Sequence, residues 1–570
     1  MFPYTFRSLL FVTTLLLTFG VVDTSITPSQ VAIAHDHADQ TTQTEHATEY
    51  AVVPLFNNLG NYRHPISTRN VLTQRYFDQG LMLAYGFNHA EAFRSFEKAA
   101  ELDPTCAMCY WGMAYVLGPN INAAMEEGAI PTAWEAIQKA IALREYASPQ
   151  EQAYITAMAQ RYSPDPDADR SALNQAYVAA MRQVAHQYPD DPDAQTLFAE
   201  ALMDTTPWDY WQENGEPKPE GAEIISTLES VLANHPNHAG ALHLYIHAVE
   251  AERPELAVEA ADRLRALNIN TAHLLHMPGH IYIRVGRYQD AVIANQQAAA
   301  ADARYVHQHN PEGLYTIAYM PHNQHFMWFA AVMAGQQDVA LEAAEATAKL
   351  ADQSLIREPG YGTLQHYSMI PLYTQVKFGM WDEILSEPAP AADLVYPTGV
   401  WYFARGMAYA AKGQLSLAAQ ELEGLRAIAA SPALEGVTIW DINTTRHLLE
   451  IATEVLAGEI AAKQGNYEQA IAHLQQGVDL EDALRYDEPS PWYSPVRQSL
   501  GNVLLQAGRY AEAEQTYRDD LATYPNNGWS LYGLAQSVQA QGRTDEAQAI
   551  RAQFEEAWRH ADVTLTASRF

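Results

Sequence analysis

Histidine is unevenly distributed along the chain, and it carries most of the candidate chemistry. Eleven of the 21 histidines lie between His235 and His325, and one carboxylate, Glu250, follows His243 by seven residues. Imidazole nitrogens with a carboxylate oxygen are donors that suit zinc, copper, nickel or iron. We therefore predict a transition-metal site, zinc or copper being the first candidates, drawn from His243, His247, Glu250, His273, His276, His280, His322 and His325.

No catalytic motif accompanies these histidines. The segment from His243 to His247 has Leu244 where zinc peptidases carry a glutamate, so the peptidase pattern is absent. A glycine-rich phosphate loop and an ordered Ser, His and Asp set are also missing from the sequence. The missing motifs favour a protein that is not an enzyme, and a metal-dependent enzyme is the alternative.

Three smaller groups of residues offer other chemistry. Cys106 and Cys109 could form a local disulfide, a redox-active dithiol or two thiolate ligands, while Tyr110 after them breaks the haem-attachment pattern. An aromatic joint could stack on a sugar or a peptide, or could cap an exposed end of the core. A terminus beginning at His35, with a third-residue imidazole, could bind Cu(II) or Ni(II). The aromatic joint consists of Trp208, Tyr210 and Trp211.

The net negative charge of the chain limits the kinds of partner that it can bind. The 570 residues include 34 basic and 68 acidic side chains, a formal net charge of -34. Such a surface repels phosphate backbones and anionic lipid headgroups, so we expect no nucleic-acid partner. Solubility alone also explains an acidic surface, whereas basic peptides or metal cations would be attracted by it.

Small residues recur at the spacing of paired helices. From Gly80 the chain places Ala92, Phe96, Ala99 and Pro104 at the positions of a tetratricopeptide unit. Small residues allow two helices to cross closely, and proline ends the second helix. Since the count recurs through the chain, the sequence predicts an all-α superhelical solenoid of antiparallel tetratricopeptide-type helix pairs. Further units start near Gly279, Gly406, Gly458 and Gly501.

The repeat pattern also predicts where the histidines lie on the helices. The first helix of each pair lines a concave groove, and His273, His276 and His280 occupy three positions on one helical face around Gly279. We therefore expect the histidines of neighbouring first helices to converge on one patch of groove. The alignment depends on Pro278, which either kinks this helix or begins a new one.

Changes in composition and in helical pattern divide the chain into segments. Arg7, an apolar run over 8–22 and a small-residue triplet ending at Ala34 predict a secretory signal over 1–34, with an uncleaved anchor as the alternative. No second run reaches the length of a membrane span. We expect a flexible lead-in at 35–74, helix-pair blocks at 75–210, 222–350 and 398–560, and a connecting segment at 351–397.

Several strings carry a family resemblance. From about residue 54 to residue 542, the chain resembles a family of exported bacterial tetratricopeptide-repeat proteins without an established reaction. The resemblance implies the helical fold and export, and it transfers no catalytic residue. The segments that carry it are 80–92, 106–112, 117–120, 273–284 and 510–529.

These features favour one function and leave one main alternative. Helix-pair solenoids present an extended concave surface, so we predict an exported scaffold that binds a peptide or protein partner in its groove. The alternative is a metal-binding protein or metal-dependent enzyme that uses the histidine cluster. A redox partner acting through the two cysteines is a third interpretation.

Overall fold

The structure is a computed structural model that describes residues 53–309 and 313–570. The predicted signal segment at 1–34 and the candidate copper-binding terminus at His35 both lie outside these residues. The described chain is helical apart from turns, loops and one small hairpin, β1 (Thr438–Ile439) paired antiparallel with β2 (Asn443–Thr444). The predicted all-α class is confirmed.

Contacts divide the chain into two compact units. The first comprises residues 53–57, Arg63–Ala84 and His89–Tyr188, and the second comprises Asn58–Tyr62, Tyr85–Asn88 and Pro189–Phe570. The helices of the first unit are α1 (Val71–Tyr85, whose last residue belongs to the second unit), α2 (His89–Leu102), α3 (Ala107–Leu117), α4 (Ile130–Ala142), α5 (Pro149–Met158) and α6 (Arg170–Gln187).

The second unit begins with α7 and contains the histidine-rich region. Its helices are α7 (Pro192–Met203), α8 (Pro219–Asn234), α9 (Ala239–Val249), α10 (Val258–Leu267), α11 (Ala272–His276), α12 (Pro278–Arg284), α13 (Tyr288–His309), α14 (Met320–Met333), α15 (Gln337–Leu350), α16 (Gly362–Lys377), α17 (Trp381–Ser386), α18 (Val395–Ala411), α19 (Leu415–Ala429), α20 (Thr445–Lys463), α21 (Tyr467–Asp482), α22 (Val496–Gln506), α23 (Tyr510–Thr523), α24 (Gly528–Ala540) and α25 (Thr544–Ala557).

Helices that are adjacent in the sequence pack on one another, as α18 does with α19, α20 with α21 and α24 with α25. First helices of successive pairs also contact, for example α18 with α20 and α22 with α24. The turn within a pair needs a left-handed residue, and Gly465 (φ 78°) and Gly508 (φ 75°) supply it. Each pair therefore buries its apolar face against its neighbours.

The predicted role of small residues is visible where helices cross. A Cβ at Gly80 would lie 2.7 Å from the Phe96 ring, and one at Gly112 would also overlap that ring. In the second unit, Gly501 and Gly533 likewise face the ring of Tyr517. Glycine at these positions is needed because the facing aromatic ring occupies the space of a side chain.

Two boundaries differ from the expected segments. Helix α1 begins at Val71, and the lead-in before it is fixed by hydrogen bonds, among them Phe56 N to Gln79 Oε1 at 2.8 Å. The expected connecting segment contains α16 and α17.

No helix of the described residues combines the length and the apolar character that crossing a bilayer requires.

Candidate metal centre

Four helices of the second unit carry the histidines. Helix α9 holds His243 and His247 one turn apart, and its N-terminus is capped by His238, whose Nδ1 accepts from the Ala241 amide at 3.0 Å. Of the two roles considered for Pro278, the structure shows the second: Pro278 begins a new helix, so α11 and α12 are separate. The other three helices follow: α11 carries His273 and His276, α12 carries His280 and α14 carries His322.

Three of the imidazoles form what we call the first trio: His276, His280 and His322. One ring nitrogen of each lies within 4.8 Å of the others. The Nε2 atoms of His276 and His280 are 2.8 Å apart. Phe326 packs against all three rings at centroid distances of 4.6, 4.3 and 4.7 Å. The first trio therefore surrounds one small volume beside an apolar wall.

Three further imidazoles form the second trio: His243, His247 and His273. Their ring nitrogens also lie within 4.8 Å of one another, and Nε2 of His273 is 3.1 Å from Nε2 of His243. Phe87 packs on this trio, at 4.5 Å from the His243 ring and 5.3 Å from the His273 ring. The second trio thus repeats the arrangement of the first.

Groups around the trios fix the orientation of individual rings. His276 Nδ1 lies 2.7 Å from Asn295 Oδ1, and Asn295 is held in turn because its Nδ2 donates to the Ala291 carbonyl at 2.9 Å. His243 Nδ1 lies 2.7 Å from the carbonyl oxygen of Tyr85. A ring that donates from Nδ1 presents the lone pair of Nε2 to the inside of its trio. These contacts prepare imidazoles to act as ligands.

Glu250 stands between the trios. Its Oε1 accepts a hydrogen bond from His247 Nδ1 at 3.1 Å, and its Oε2 lies 2.8 Å from His280 Nδ1. A second carboxylate, Glu488, places Oε2 2.7 Å from the same His280 nitrogen. Arg284 Nε lies 3.9 Å from Glu488 Oε1 and contacts the Glu250 carbonyl. The carboxylates therefore support the outer nitrogens of rings from both trios.

The site is buried, which differs from the expected position on an open groove. Exposed fractions are 0% for His243 and His276, 2% for His273 and 3% for His247 and His280, while His322 is partly exposed. Burial lowers the pKa of these imidazoles, and the charges of neighbouring imidazoles lower it further. The pKa is well below the ordinary value for His243, His273, His276 and His322.

The carboxylates reverse this effect at one ring. Burial alone would lower the pKa of His280, but Glu250 and then Glu488 outweigh it and raise the pKa to about 10. Burial would raise the pKa of Glu250, but His280 and His247 hold it below its usual range. For Glu488, burial and the charge of Glu250 raise the pKa. Glu250 and His280 therefore stabilise each other's charged forms within the buried centre.

His325 is not brought together with the other predicted ligands. Its ring stacks on Trp328, with centroids 5.1 Å apart and planes inclined by 9°, and it lies edge-on to His366 at 5.6 Å. The ring of His325 is buried in this aromatic neighbourhood, outside both trios. A spacing of three residues from His322 would allow both rings to share one face of the helix, but the ring of His325 packs on Trp328, His366 and Tyr367 instead.

Sequence reasoning missed three residues of this centre. Glu488 lies far later in the chain, in an irregular segment before α22, and no local pattern connects it to His280. Phe87 comes from the short segment Tyr85–Asn88. Asn295 follows His276 by 19 residues and lies four residues after Ala291, a small residue twelve positions after Gly279 as Ala92 is after Gly80, and this spacing is a signal that could have been used.

The three residues of the aromatic joint differ in their exposure to solvent. Trp208 is 43% exposed and has a left-handed backbone (φ 61°), and its ring lies edge-on to His247 at 5.1 Å. Tyr210 is buried, and Trp211 donates from Nε1 to the Ala248 carbonyl of α9 at 2.9 Å. Only Trp208 of the three is exposed, so the joint does not present a row of free aromatic faces.

Cys106 and Cys109 are joined by a disulfide in the first unit. Both residues are buried, at 1% and 0% exposure, and Cys106 Sγ also accepts from the Cys109 amide at the start of α3. The pair therefore closes the first turn of a helix inside the core.

Comparison with known proteins identifies the repeats. Tetratricopeptide-repeat models match residues 449–525 and 504–553. This confirms the predicted repeat type, and repeats of this kind generally mediate protein–protein interaction. No curated protein matches the chain significantly.

Solved helical structures are similar at low identity. The human IFIT1 dimer with m7Gppp-AAAA is 10% identical, with a TM-score of 0.30, over 86% of this chain and 91% of that one. The P58(IPK) TPR domain is 13% identical (TM-score 0.23; 83% and 99% covered), and yeast Tom70 is 11% identical (TM-score 0.26; 84% and 92% covered). Similarities this loose do not bear on what the chain binds.

Proposed function

We propose that this chain is a transition-metal-binding protein and that the first trio, His276, His280 and His322, holds the ion. The observation that carries the proposal is the 2.8 Å approach of two imidazole Nε2 atoms whose Nδ1 atoms both lie against oxygen acceptors. Histidine ligands of metals characteristically have their outer nitrogen fixed in this way by a carboxylate or amide oxygen.

The spacing of the trio suits an ion after small side-chain movements. With metal–nitrogen bonds of about 2.0 to 2.1 Å, tetrahedral ligand atoms lie roughly 3.3 Å apart. The His276 and His280 nitrogens must therefore separate by a few tenths of an ångström from 2.8 Å, and the His322 nitrogen, which lies within 4.8 Å of both, must come to a similar tetrahedral separation from them. Rotations about side-chain bonds are sufficient for both movements.

The donor type narrows the identity of the ion. Imidazole nitrogens favour zinc or copper over the oxygen-preferring calcium and magnesium. Because Glu250 and Glu488 raise the pKa of His280, binding of the ion must displace a proton from that ring. Three protein ligands also leave a fourth position of a tetrahedral ion for water or another small molecule. That open position is what a metal-dependent enzyme would need, so the enzymatic alternative is a special case of the same site.

Metal content tests the proposal. The purified full chain, loaded with zinc and then dialysed, is expected to retain zinc, measured by inductively coupled plasma mass spectrometry. The double variant His276→Ala, His280→Ala should lose zinc from this site while keeping its helical circular dichroism. His473→Ala is the matched control, because His473 Nδ1 also contacts a carboxylate, Glu454 Oε2 at 2.7 Å, but belongs to neither trio. A wild-type chain that binds no zinc or copper would refute the proposal.

Partner binding is a second candidate function, favoured by the tetratricopeptide repeats at 449–553. The repeats would act as a scaffold that holds a peptide or protein in a concave groove. A partner should then be captured by the full chain with and without chelator, and capture should fail in a chain altered on the repeat surface. Capture that requires the metal would instead tie the partner to the histidine centre.

Export is also part of the proposal. The charged start, apolar run and small-residue triplet over 1–34 support a secretory signal. Cell fractionation and the mass of the mature N-terminus test this, and retention of an intact N-terminus in the membrane fraction would favour the anchored alternative.

A further inference from the structure

We propose that the second trio, His243, His247 and His273, holds a second transition-metal ion, so that the second unit contains two neighbouring three-histidine sites. This inference rests on the proposed function of the first trio, which it extends from one ion to two. Its evidence comes from different residues.

The ring nitrogens of the second trio are prepared for a ligand. His243 Nδ1 is engaged by the Tyr85 carbonyl, and His247 Nδ1 by Glu250 Oε1. The opposite nitrogens of these two rings are consequently directed away from those anchors. One of them, His247 Nε2, is buried and has no hydrogen-bond partner within residues 53–309 and 313–570. An unsatisfied buried nitrogen of this kind is a free ligand position.

A network of hydrogen bonds alone does not satisfy the second trio. The His243 and His273 Nε2 atoms, 3.1 Å apart, can share one proton. In that arrangement His247 Nε2 and His273 Nδ1 still lack partners among the described residues. An ion accepts lone pairs from all three rings, and reorientation of His273 allows either of its nitrogens to take part.

Phe87 shapes the second trio as Phe326 shapes the first. It is 4% exposed and has a left-handed backbone, with φ of 54°, which a non-glycine residue adopts only where the surrounding structure compensates. In this conformation its ring packs on His243, His273 and, at 6.1 Å, His247. The apolar ring limits access of water and keeps the three imidazoles together.

The two trios adjoin each other. The rings of His247 and His280 have centroids 5.3 Å apart, and those of His273 and His276 are 5.7 Å apart. Glu250 contacts one ring of each trio through its two oxygens. Two ions therefore occupy one continuous buried centre, supported by one shared carboxylate.

The carboxylates offset part of the positive charge that two buried divalent ions would bring. Six neutral imidazoles supply no negative charge, and uncompensated buried ions are very costly. Glu250 and Glu488 are 1% and 9% exposed and provide two negative charges beside the trios. One divalent ion balances both carboxylates, so a second divalent ion would need anionic ligands such as hydroxide at the open coordination positions, while Arg284 remains at the edge, 3.9 Å from Glu488.

Zinc stoichiometry distinguishes one ion from two. The metal-free full chain is titrated with zinc alone, and bound zinc per chain is read by native mass spectrometry. We expect two zinc ions in the wild type, one in His243→Gln and one in His273→Phe. Phenylalanine fits the latter position because Phe87 and Tyr319 already surround it at 5.3 and 5.1 Å. Thermal unfolding verifies that each variant is folded.

The outcomes separate this inference from the proposed function. One zinc in the wild type, lost in the His276→Ala, His280→Ala variant, would overturn the second site and leave the first. Two zinc ions retained in both folded second-trio variants would also overturn it. If neither variant folds, the wild-type stoichiometry decides, since one zinc at saturation contradicts the inference. No zinc at all would refute both proposals.

Discussion

Glu250 and His280 form a close buried contact, with Glu250 Oε2 2.8 Å from His280 Nδ1. The two residues come from the end of α9 and from α12, and their exposed fractions are 1% and 3%. Because the other oxygen of Glu250 accepts from His247, this single carboxylate orients rings in both trios. It is therefore the most informative residue to change.

Glu250→Gln should weaken zinc binding by about 10- to 100-fold, the usual effect of losing an outer-shell partner of a histidine ligand. The amide keeps the shape of the side chain but removes its negative charge. Competition with a chromogenic chelator measures the affinity. Glu454→Gln serves as the control, because Glu454 contacts His473 outside the trios and its replacement should leave zinc affinity unchanged. Equal affinity of Glu250→Gln and wild type would show that Glu250 does not support the site.

Gly279→Ala should disturb the first trio from within α12. An added Cβ would lie 2.8 Å from Asn295 Nδ2, so the amide that orients His276 must shift. Overpacking of this kind costs about 1 to 3 kcal/mol of unfolding free energy. We expect lower stability in urea and weaker zinc binding. Gly128→Ala, where an added Cβ meets nothing within 4 Å, should change neither quantity.

Zinc should stabilise the folded chain, and chelation should reverse the effect. A ligand that binds only the native state adds about 2.7 kcal/mol at a free concentration 100 times its dissociation constant. The urea midpoint of the wild type should therefore rise with zinc and return with chelator. The His276→Ala, His280→Ala variant should show a smaller rise. An equal rise in both proteins would mean that zinc stabilises the chain somewhere else.

Lys377 should give the chain a distinct dependence of stability on pH. Burial lowers the pKa of this lysine to about 7, although its ammonium group reaches Ser494 Oγ, Gln498 Oε1 and the Trp529 ring. Between pH 7 and the ordinary lysine pKa, the unfolded chain holds a proton that the native chain has released. The contribution of Lys377 to stability therefore rises with pH across this window, by about 1.4 kcal/mol per unit.

Lys377→Met removes this contribution. Urea unfolding at pH 7.5, 8.5 and 9.5 should show that the stability of the variant relative to wild type falls as the pH rises. The exposed Lys463 provides the control, and Lys463→Met should follow the wild-type profile. Parallel profiles for Lys377→Met and wild type would indicate that Lys377 stays charged in the native chain.

Much of the centre was predictable because its ligands have local spacing. His243 and His247 are one turn apart, and the repeat spacing around Gly279 indicated that His273, His276 and His280 are close together, although they lie on two helices, α11 and α12. The sequence suggested one site on one face. The break at Pro278 and the separation of rings into two trios could not be read from periodicity, because helix direction after a break depends on what each segment packs against.

The sequence by itself determined the helical repeats and the concentration of imidazoles on particular helices, since hydrophobic spacing, small residues and turn glycines act over a few residues. Only the tertiary structure decided that these imidazoles are buried, that their ring nitrogens meet in two trios, and that Glu488 and Phe87 complete the centre. Those relationships join segments far apart in the chain, and they arise from packing of the whole second unit, which no local pattern encodes.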